Sequence, residues 1–167
     1  MALVAHPHPL HGGTLDNKVA QTLARAFVEL GYTAWRPNFR GVGASEGTHD
    51  EGRGEVDDLA AVLAHTRSEK PVLAGFSFGA AVQTRLAQRV KPERMVLVGL
   101  AVNHLEVPPV PADTILIHGE EDTTVPLAGV LAWARPQDLA VVVVPGADHF
   151  FHRRLPILRA IVQNNWK

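Results

Sequence analysis

Short apolar runs alternate along the chain with longer stretches in which apolar residues recur every three or four positions. The apolar runs predict six buried strands, at 2–5, 32–35, 71–75, 95–100, 114–117 and 139–144. The periodic stretches predict five helices, at 15–30, 56–65, 80–90, 127–134 and 155–166. Strands that are apolar on both faces, with helices between them, indicate a parallel sheet covered on both sides. We therefore expect a three-layer α/β/α fold with a mainly parallel sheet of about six strands, in a single domain over residues 1–167.

Composition excludes several classes of protein. The 16 Lys and Arg residues are balanced by 17 Asp and Glu residues, so nothing in the charge indicates a nucleic-acid or membrane partner. Cysteine is absent, which excludes disulfides, zinc–thiolate sites and a thiol nucleophile. The longest apolar run, 95–102, is far shorter than the roughly 20 residues of a membrane-spanning helix, and the N-terminus has no signal-peptide pattern. We therefore expect a cytoplasmic protein.

The pattern Gly-x-Ser-x-Gly occurs twice, at 43–47 and at 75–79. In serine hydrolases this pattern forms a sharp turn between a strand and a helix, and the turn exposes the serine hydroxyl. Ser77 lies between a predicted strand and a predicted helix, whereas Ser45 lies in a glycine-rich loop with no helix after it. The sequence therefore indicates Ser77 as the nucleophile and Ser45 as a loop residue.

A serine hydroxyl needs a base, and the base needs a third group to hold it. In α/β folds that carry this strand–turn–helix pattern, the acid and then the histidine follow the serine along the chain. Asp122 follows the strand predicted at 114–117, and His149 follows the strand predicted at 139–144. We interpret Asp122 as the orienting acid and His149 as the base, with Glu120 and Glu121 as close alternatives to Asp122.

The segment His6-Pro7-His8-Pro9 follows the first predicted strand and supports two hypotheses. In a serine hydrolase, a loop in this place supplies an oxyanion donor from its backbone. Since proline has no N–H, His8 is the best-placed donor, and Phe78, directly after the serine, is its partner. In a metal-dependent hydrolase, His6 and His8 would instead be ligands, although no carboxylate completes the cluster. We favour the first hypothesis and expect no metal and no cofactor.

These stretches together resemble small bacterial α/β-hydrolases without a lid, the group related to dienelactone hydrolases and short esterases. The resemblance covers nearly the whole chain and is carried by motifs at 6–13, 17–19, 38–47, 75–79, 118–122 and 148–151. It implies a triad of Ser77, Asp122 and His149, oxyanion donors at His8 and Phe78, and a structural loop at 38–47 near the site.

The sequence departs from that family in two ways. The family has two further strands ahead of the first strand predicted here, and we expect the fold to lack them. The spatial order of the strands should then be 33–36, 2–5, 72–75, 96–100, 114–117 and 140–144. The strand at 33–36 would be a bare edge. Residues 101–112 contain three prolines and leave no room for a helical cap, so we expect an open site for small substrates.

The resemblance implies a serine hydrolase of carboxylesterase type. It would cleave a small carboxylic ester, or a related acyl bond, with water as co-substrate. Its partners would be a small-molecule substrate and, through the bare edge, a second copy of the chain in a homodimer. Because a fold does not by itself establish an activity, a non-catalytic binding or scaffold protein on the same fold is the alternative.

Overall fold

A computed structural model describes residues 1–166 and contains an α/β arrangement built around one sheet. The strands are β1 (Ala2–Ala5), β2 (Ala34–Trp35), β3 (Val72–Phe76), β4 (Arg94–Val98), β5 (Ile115–Gly119) and β6 (Val141–Val144). The helices are α1 (Lys18–Glu29), α2 (Arg53–Thr66), α3 (Phe78–Leu86), α4 (Leu127–Ala134) and α5 (Leu155–Asn164). Two short 3₁₀ turns lie at Pro9–His11 and Arg135–Gln137.

The sheet has six strands in the order β2-β1-β3-β4-β5-β6, and every neighbouring pair is parallel. This confirms the predicted fold class and strand order. Helices α1 and α5 pack on one face of the sheet and α2, α3 and α4 on the other, so the sheet separates two apolar cores. The inner strands β1, β3, β4 and β5 are buried on both faces, which explains why their apolar runs show no alternation of polar residues. The prediction of burial is wrong for β2 and β6, because each lies at an edge of the sheet and is partly exposed.

Several element boundaries differ from those predicted. Helix α1 begins at Lys18 rather than at residue 15, because the Asn17 side chain is the cap: its Oδ1 accepts from the backbone N–H groups of Val19 and Ala20. Strand β2 has two residues rather than four, and it lies at the edge of the sheet as predicted. Exposed polar residues flank these elements, and apolar periodicity alone does not locate their ends.

The connection between β4 and β5 leaves the carboxyl edge of the sheet uncovered. Between these two strands the structure shows no helix and no strand. The segment is instead hydrogen-bonded to neighbouring helices: Arg85 donates to the Glu106 carbonyl and Trp133 donates to the Val107 carbonyl. This geometry agrees with the prediction that residues 101–112 leave no room for a helical cap. No helix among residues 1–166 is both long enough and apolar enough to cross a membrane.

Candidate active site

Ser77 lies at the sharp turn that joins β3 to α3. Its φ is +56° and its ψ is −117°, a left-handed conformation that is unfavourable for a residue with a side chain. Such strain costs roughly 1–3 kcal/mol and persists only where the surrounding fold enforces it. Here the Ser77 N–H donates to the Val98 carbonyl at 2.9 Å, which ties the turn to β4. The result is a serine held in a fixed orientation at the carboxyl edge of the sheet.

Two glycines make this turn sterically possible. A Cβ on Gly75 would lie 2.7 Å from the Ala80 backbone nitrogen, so the strand and the helix approach too closely for any side chain there. A Cβ on Gly79 would lie 2.4 Å from the carbonyl oxygens of Ala5 and His6, at the end of β1. The Gly-x-Ser-x-Gly pattern at 75–79 is therefore required by packing, as the sequence hypothesis proposes.

Ser77, His149 and Asp122 form a continuous hydrogen-bonded chain. The Ser77 Oγ lies 3.0 Å from His149 Nε2, and His149 Nδ1 lies 2.6 Å from Asp122 Oδ2. All three residues are at least nine-tenths buried. Because a carboxylate accepts only, Nδ1 carries the proton and Nε2 presents its lone pair to the serine hydroxyl. This is the tautomer that a general base at Nε2 requires.

The Asp122 carboxylate is held by the loop after β5. Its second oxygen, Oδ1, accepts from the Thr124 N–H at 2.9 Å and from the Val125 N–H at 2.7 Å. Hydrogen bonds of this kind stabilise the ionised carboxylate and fix its orientation toward His149. Glu120 and Glu121, the alternative acids in the sequence, have exposed side chains that make no hydrogen bond to His149. Asp122 is thus the acid that the fold brings to the histidine.

A tight contact brings the Asp122 loop against the His149 loop. A Cβ on Gly119 would lie 2.4 Å from the Ala147 carbonyl oxygen, so the two loops could not approach with any other residue there. The same carbonyl accepts from the Glu121 N–H at 2.9 Å. The Glu120 carboxylate accepts from the Gly146 N–H at 2.8 Å. The two glutamates therefore join the loops rather than orienting the base.

His118 is a further residue at this site, and its role is not predicted from the sequence. Its side chain is fully buried, and its Nε2 donates to the Val125 carbonyl at 2.7 Å and lies 3.4 Å from Asp122 Oδ2. Burial lowers the pKa of His118, so the ring is neutral with its proton on Nε2. The signal was available in the sequence, since His118 stands on β5 in the same motif as Asp122.

The His6 ring has a structural role beneath the site. Its Nε2 accepts from the Phe39 N–H at 3.0 Å, and its Nδ1 donates to the Pro7 carbonyl at 2.8 Å. Burial lowers the pKa of His6, which keeps the ring neutral. Both ring nitrogens are therefore engaged, and neither is left for a metal. Among residues 1–166, no group of three or more His, Asp or Glu side chains is arranged to hold a metal ion.

His8 and Phe78 lie next to each other at the wall of the site, with ring centroids 4.8 Å apart. The side chain of His8 caps the short 3₁₀ turn after it by accepting from the Leu10 N–H at 3.1 Å. A Cβ on Gly13 would lie 2.1 Å from the Pro7 carbonyl oxygen, so this loop folds tightly back on itself. The fold thus holds the loop that carries His8 beside the nucleophile turn.

A cavity of about 100 Å³ opens at Ser77. Ser77, Phe78 and His149 form part of its wall, and Phe150 lies at its exposed side. Its other polar side chains come from four separate segments of the chain: His8, His11, Asn17, His104 and Thr124. Of these, only His8 has a role predicted from the sequence, through its backbone N–H.

Ser45 is not part of this cavity. Its hydroxyl donates to the Asn38 carbonyl at 3.0 Å, inside the loop that follows β2. The same loop packs against the site through Phe39, whose ring contacts those of His6 and Phe78. The segment at 38–47 is thus a structural loop beside the site, and the second Gly-x-Ser-x-Gly pattern is a turn within it.

Residues 10–109 match the family described as the alpha/beta hydrolase fold. The chain belongs to this family. An uncharacterized protein of Rickettsia prowazekii is 34% identical over 90% of this chain and 71% of its own length. Within the α/β hydrolase fold family, an alpha-beta serine hydrolase homologue from Coxiella burnetii is 39% identical with a TM-score of 0.89, over 99% of this chain and 84% of that one.

A second similar structure comes from Xanthomonas campestris and is described as an α/β serine hydrolase without a lid. It is 39% identical with a TM-score of 0.91, over 98% of this chain and 79% of that chain. The α/β hydrolase fold, the serine hydrolase relatives and the Ser–His–Asp arrangement agree with each other. They identify the chain as a member of a hydrolase superfamily with the residues of a serine hydrolase.

Proposed function

We propose that this protein hydrolyses small carboxylic esters through an acyl-enzyme on Ser77. One observation carries the proposal: the Ser77 Oγ lies 3.0 Å from His149 Nε2, while His149 Nδ1 lies 2.6 Å from Asp122. A buried aspartate that fixes the histidine tautomer, and a histidine that faces a strained serine, form the arrangement of a nucleophilic triad. The serine faces an open cavity that a substrate can reach.

In the first half of the reaction, the Ser77 oxygen attacks the ester carbonyl and its proton moves to His149 Nε2. The Asp122 carboxylate stabilises the imidazolium that forms. When the tetrahedral intermediate collapses, the carbon–oxygen bond to the leaving group breaks, and His149 gives its proton to the departing alcohol. Ser77 then carries the acyl group as an ester.

In the second half, water enters where the alcohol has left. His149 Nε2 takes a proton from this water as its oxygen attacks the acyl carbon. Collapse of the second intermediate breaks the bond to Ser77, and the proton on His149 returns to the serine oxygen. The products are a carboxylic acid and an alcohol, with water as the only co-substrate and no cofactor in any step.

The backbone N–H groups of His8 and Phe78 are the proposed oxyanion donors. Phe78 is the first residue of α3, where an N–H has no partner within the helix. Both residues line the cavity together with Ser77, and neither N–H donates to a group within residues 1–166. Each such donor is worth roughly 3–4 kcal/mol of transition-state stabilisation in comparable enzymes.

The size and openness of the site support small substrates. The cavity of about 100 Å³ is well below the roughly 300–1,000 Å³ of sites for drug-sized ligands. The segment between β4 and β5 adds no cap above it. We therefore propose short-chain esters rather than esters of long fatty acids.

Turnover of 4-nitrophenyl esters of increasing acyl length tests this function. We expect hydrolysis of the acetate and butyrate esters, slower hydrolysis of the decanoate, and no activity above background in Ser77→Ala. A Ser45→Ala variant is the matched control, because it removes a serine from the same five-residue pattern outside the cavity. Equal activity in Ser77→Ala and the wild type would contradict the proposal.

Two further expectations from the sequence belong with this proposal. We propose that the protein acts in the cytoplasm, which fractionation of cells with an epitope-tagged copy would test. We also propose a homodimer, supported by the two-residue edge strand β2, where Trp35 is 38% exposed. Sedimentation analysis tests the dimer, and a single monomeric species at micromolar concentration would contradict it.

A further inference from the structure

We propose that the cavity beside Ser77 selects esters whose acyl part ends in a carboxylate, held by the Asn17 amide and the imidazoles of His8, His11 and His104. This inference rests on the proposed function and names the substrate class of the same site. None of the side chains that line the cavity is acidic, and the cavity is bordered by four imidazoles when His149 is included. Such a lining offers N–H donors and no carboxylate that would repel an anion.

Asn17 supplies a donor whose direction is fixed. Its Oδ1 accepts from two backbone N–H groups at the start of α1, Val19 at 2.9 Å and Ala20 at 3.1 Å. Because these donors require the oxygen, the amide cannot flip, and its Nδ2 is the end left for another partner. Asn17 lines the cavity, and its Nδ2 donates no hydrogen bond within residues 1–166. An acceptor on a substrate can occupy this position.

The imidazoles lie close enough together to affect one another. The His8 ring stacks on the His11 ring with centroids 4.4 Å apart and lies 4.8 Å from the His49 ring. Burial, followed by the repulsion of His11, His49 and His104, lowers the pKa of His8. A bound carboxylate would oppose this lowering, since a nearby negative charge favours the protonated form of His8.

None of the carboxylates near this cluster lines the cavity, so an anion can bind there. Glu51 is the carboxylate that raises the pKa of His8, whereas the neighbouring imidazoles lower it. Its Oε1 lies 3.7 Å from His49 Nε2, and the buried Glu55 lies 3.4 Å from His49 Nδ1, so both of these acids lie beside the ring of His49. On the other side, Asp122 bonds to His149 through Oδ2. Each nearby carboxylate therefore already faces an imidazole.

A matched pair of esters tests the inference. Mono-4-nitrophenyl succinate ends in a carboxylate, and 4-nitrophenyl 4-oxopentanoate replaces it with a methyl ketone of the same number of non-hydrogen atoms. The readout is the ratio of kcat/KM for the anionic ester to that for the neutral ester, at pH 6 and pH 8. Spontaneous release is subtracted with Ser77→Ala. Because both esters use the same triad, the pH dependence of the shared chemical steps cancels in the ratio.

We expect the wild-type ratio to be about five at pH 6, the effect of about one partly exposed ion pair. It should be smaller at pH 8, because the bound carboxylate favours the protonated form of His8, which a higher pH disfavours. Asn17→Ser removes Nδ2 but keeps an oxygen that caps α1, and His104→Gln removes one imidazole. Each should lower the ratio at pH 6 by about threefold. His65→Gln, on the exposed side of α2, is the matched control and should keep the wild-type ratio.

A wild-type ratio of one or less at both pH values would overturn the inference while leaving the proposed function intact. A ratio that both Asn17→Ser and His104→Gln leave unchanged would overturn it as well. Release no faster than that of Ser77→Ala, with both esters, would instead contradict the proposed function, and the inference with it. Thermal unfolding of each variant checks that it is folded before its ratio is compared.

Discussion

Gly119 lies against the Ala147 carbonyl so closely that a Cβ at position 119 would be 2.4 Å from that oxygen. This contact joins the end of β5, which leads to Asp122, to the turn after β6, which leads to His149. These two loops carry Asp122 and His149, whose carboxylate and Nδ1 lie 2.6 Å apart. A glycine three residues before the acid is therefore part of what assembles the site.

Replacing this glycine should separate the acid from the base. In Gly119→Ala the new methyl group forces the two loops apart, and we expect kcat for a short ester to fall by at least about tenfold, since a misplacement of about 1 Å can cost about 100-fold. Gly129→Ala is the matched control, because its Cβ would meet Val102 at an ordinary 3.5 Å. Steady-state kinetics of both variants would check this, and wild-type kcat in Gly119→Ala would contradict it.

The identity of the acid gives a second prediction. Asp122→Asn keeps the shape of the side chain but removes the charge that fixes the His149 tautomer, and we expect kcat to fall by about 10⁴-fold. Glu121→Gln changes an exposed neighbour and should retain activity within about twofold. The kinetics of this pair separate the two carboxylates. A larger loss in Glu121→Gln than in Asp122→Asn would show that the assignment is wrong.

The buried histidines predict how stability depends on pH. Burial lowers the pKa of His6 and His118 in the folded state, whereas the unfolded chain titrates near 6.5. Below pH 6.5 the unfolded chain therefore binds more protons, and the free energy of unfolding falls as the pH falls. Each such group contributes a slope of up to about 1.4 kcal/mol per pH unit.

Urea unfolding at pH 7.5 and pH 5.5 checks this dependence. We expect the wild type to be less stable at pH 5.5. His118→Gln, which keeps an N–H donor for the Val125 carbonyl, should show a smaller loss between the two pH values, whatever its absolute stability. His65→Gln replaces an exposed histidine and should behave as the wild type. An unchanged difference in His118→Gln would mean that His118 is not the neutral buried group inferred here.

The sequence predicts the fold well because the fold rests on burial. Strands such as β3 and β4 are apolar on both faces, and only a covered parallel sheet buries both. The sequence predicts the nucleophile equally well. The glycines two residues before and two residues after Ser77 are required by contacts that any strand–turn–helix corner would make. In these places local pattern and tertiary packing require the same residues.

Other features of the site depend on distances that no local pattern encodes. The choice of Asp122 over Glu121 follows from the turn after Gly119, which exposes the Glu121 side chain and buries that of Asp122. His118 contributes through its contact with Val125, which forms only once the β5 loop has folded. The cavity joins Asn17 to His104, which are far apart in sequence and come together only when α1 and the β4–β5 connection lie on the sheet.

The central claim is that Ser77 is the nucleophile. Treating the protein with a fluorophosphonate and mapping the adduct by peptide mass spectrometry tests it directly, because the reagent bonds covalently to an activated serine. We expect one adduct per chain, on Ser77, with parallel loss of ester hydrolysis, and no labelling of the Ser77→Ala protein. An adduct on Ser45, or full ester turnover by a protein that remains unlabelled, would contradict the account.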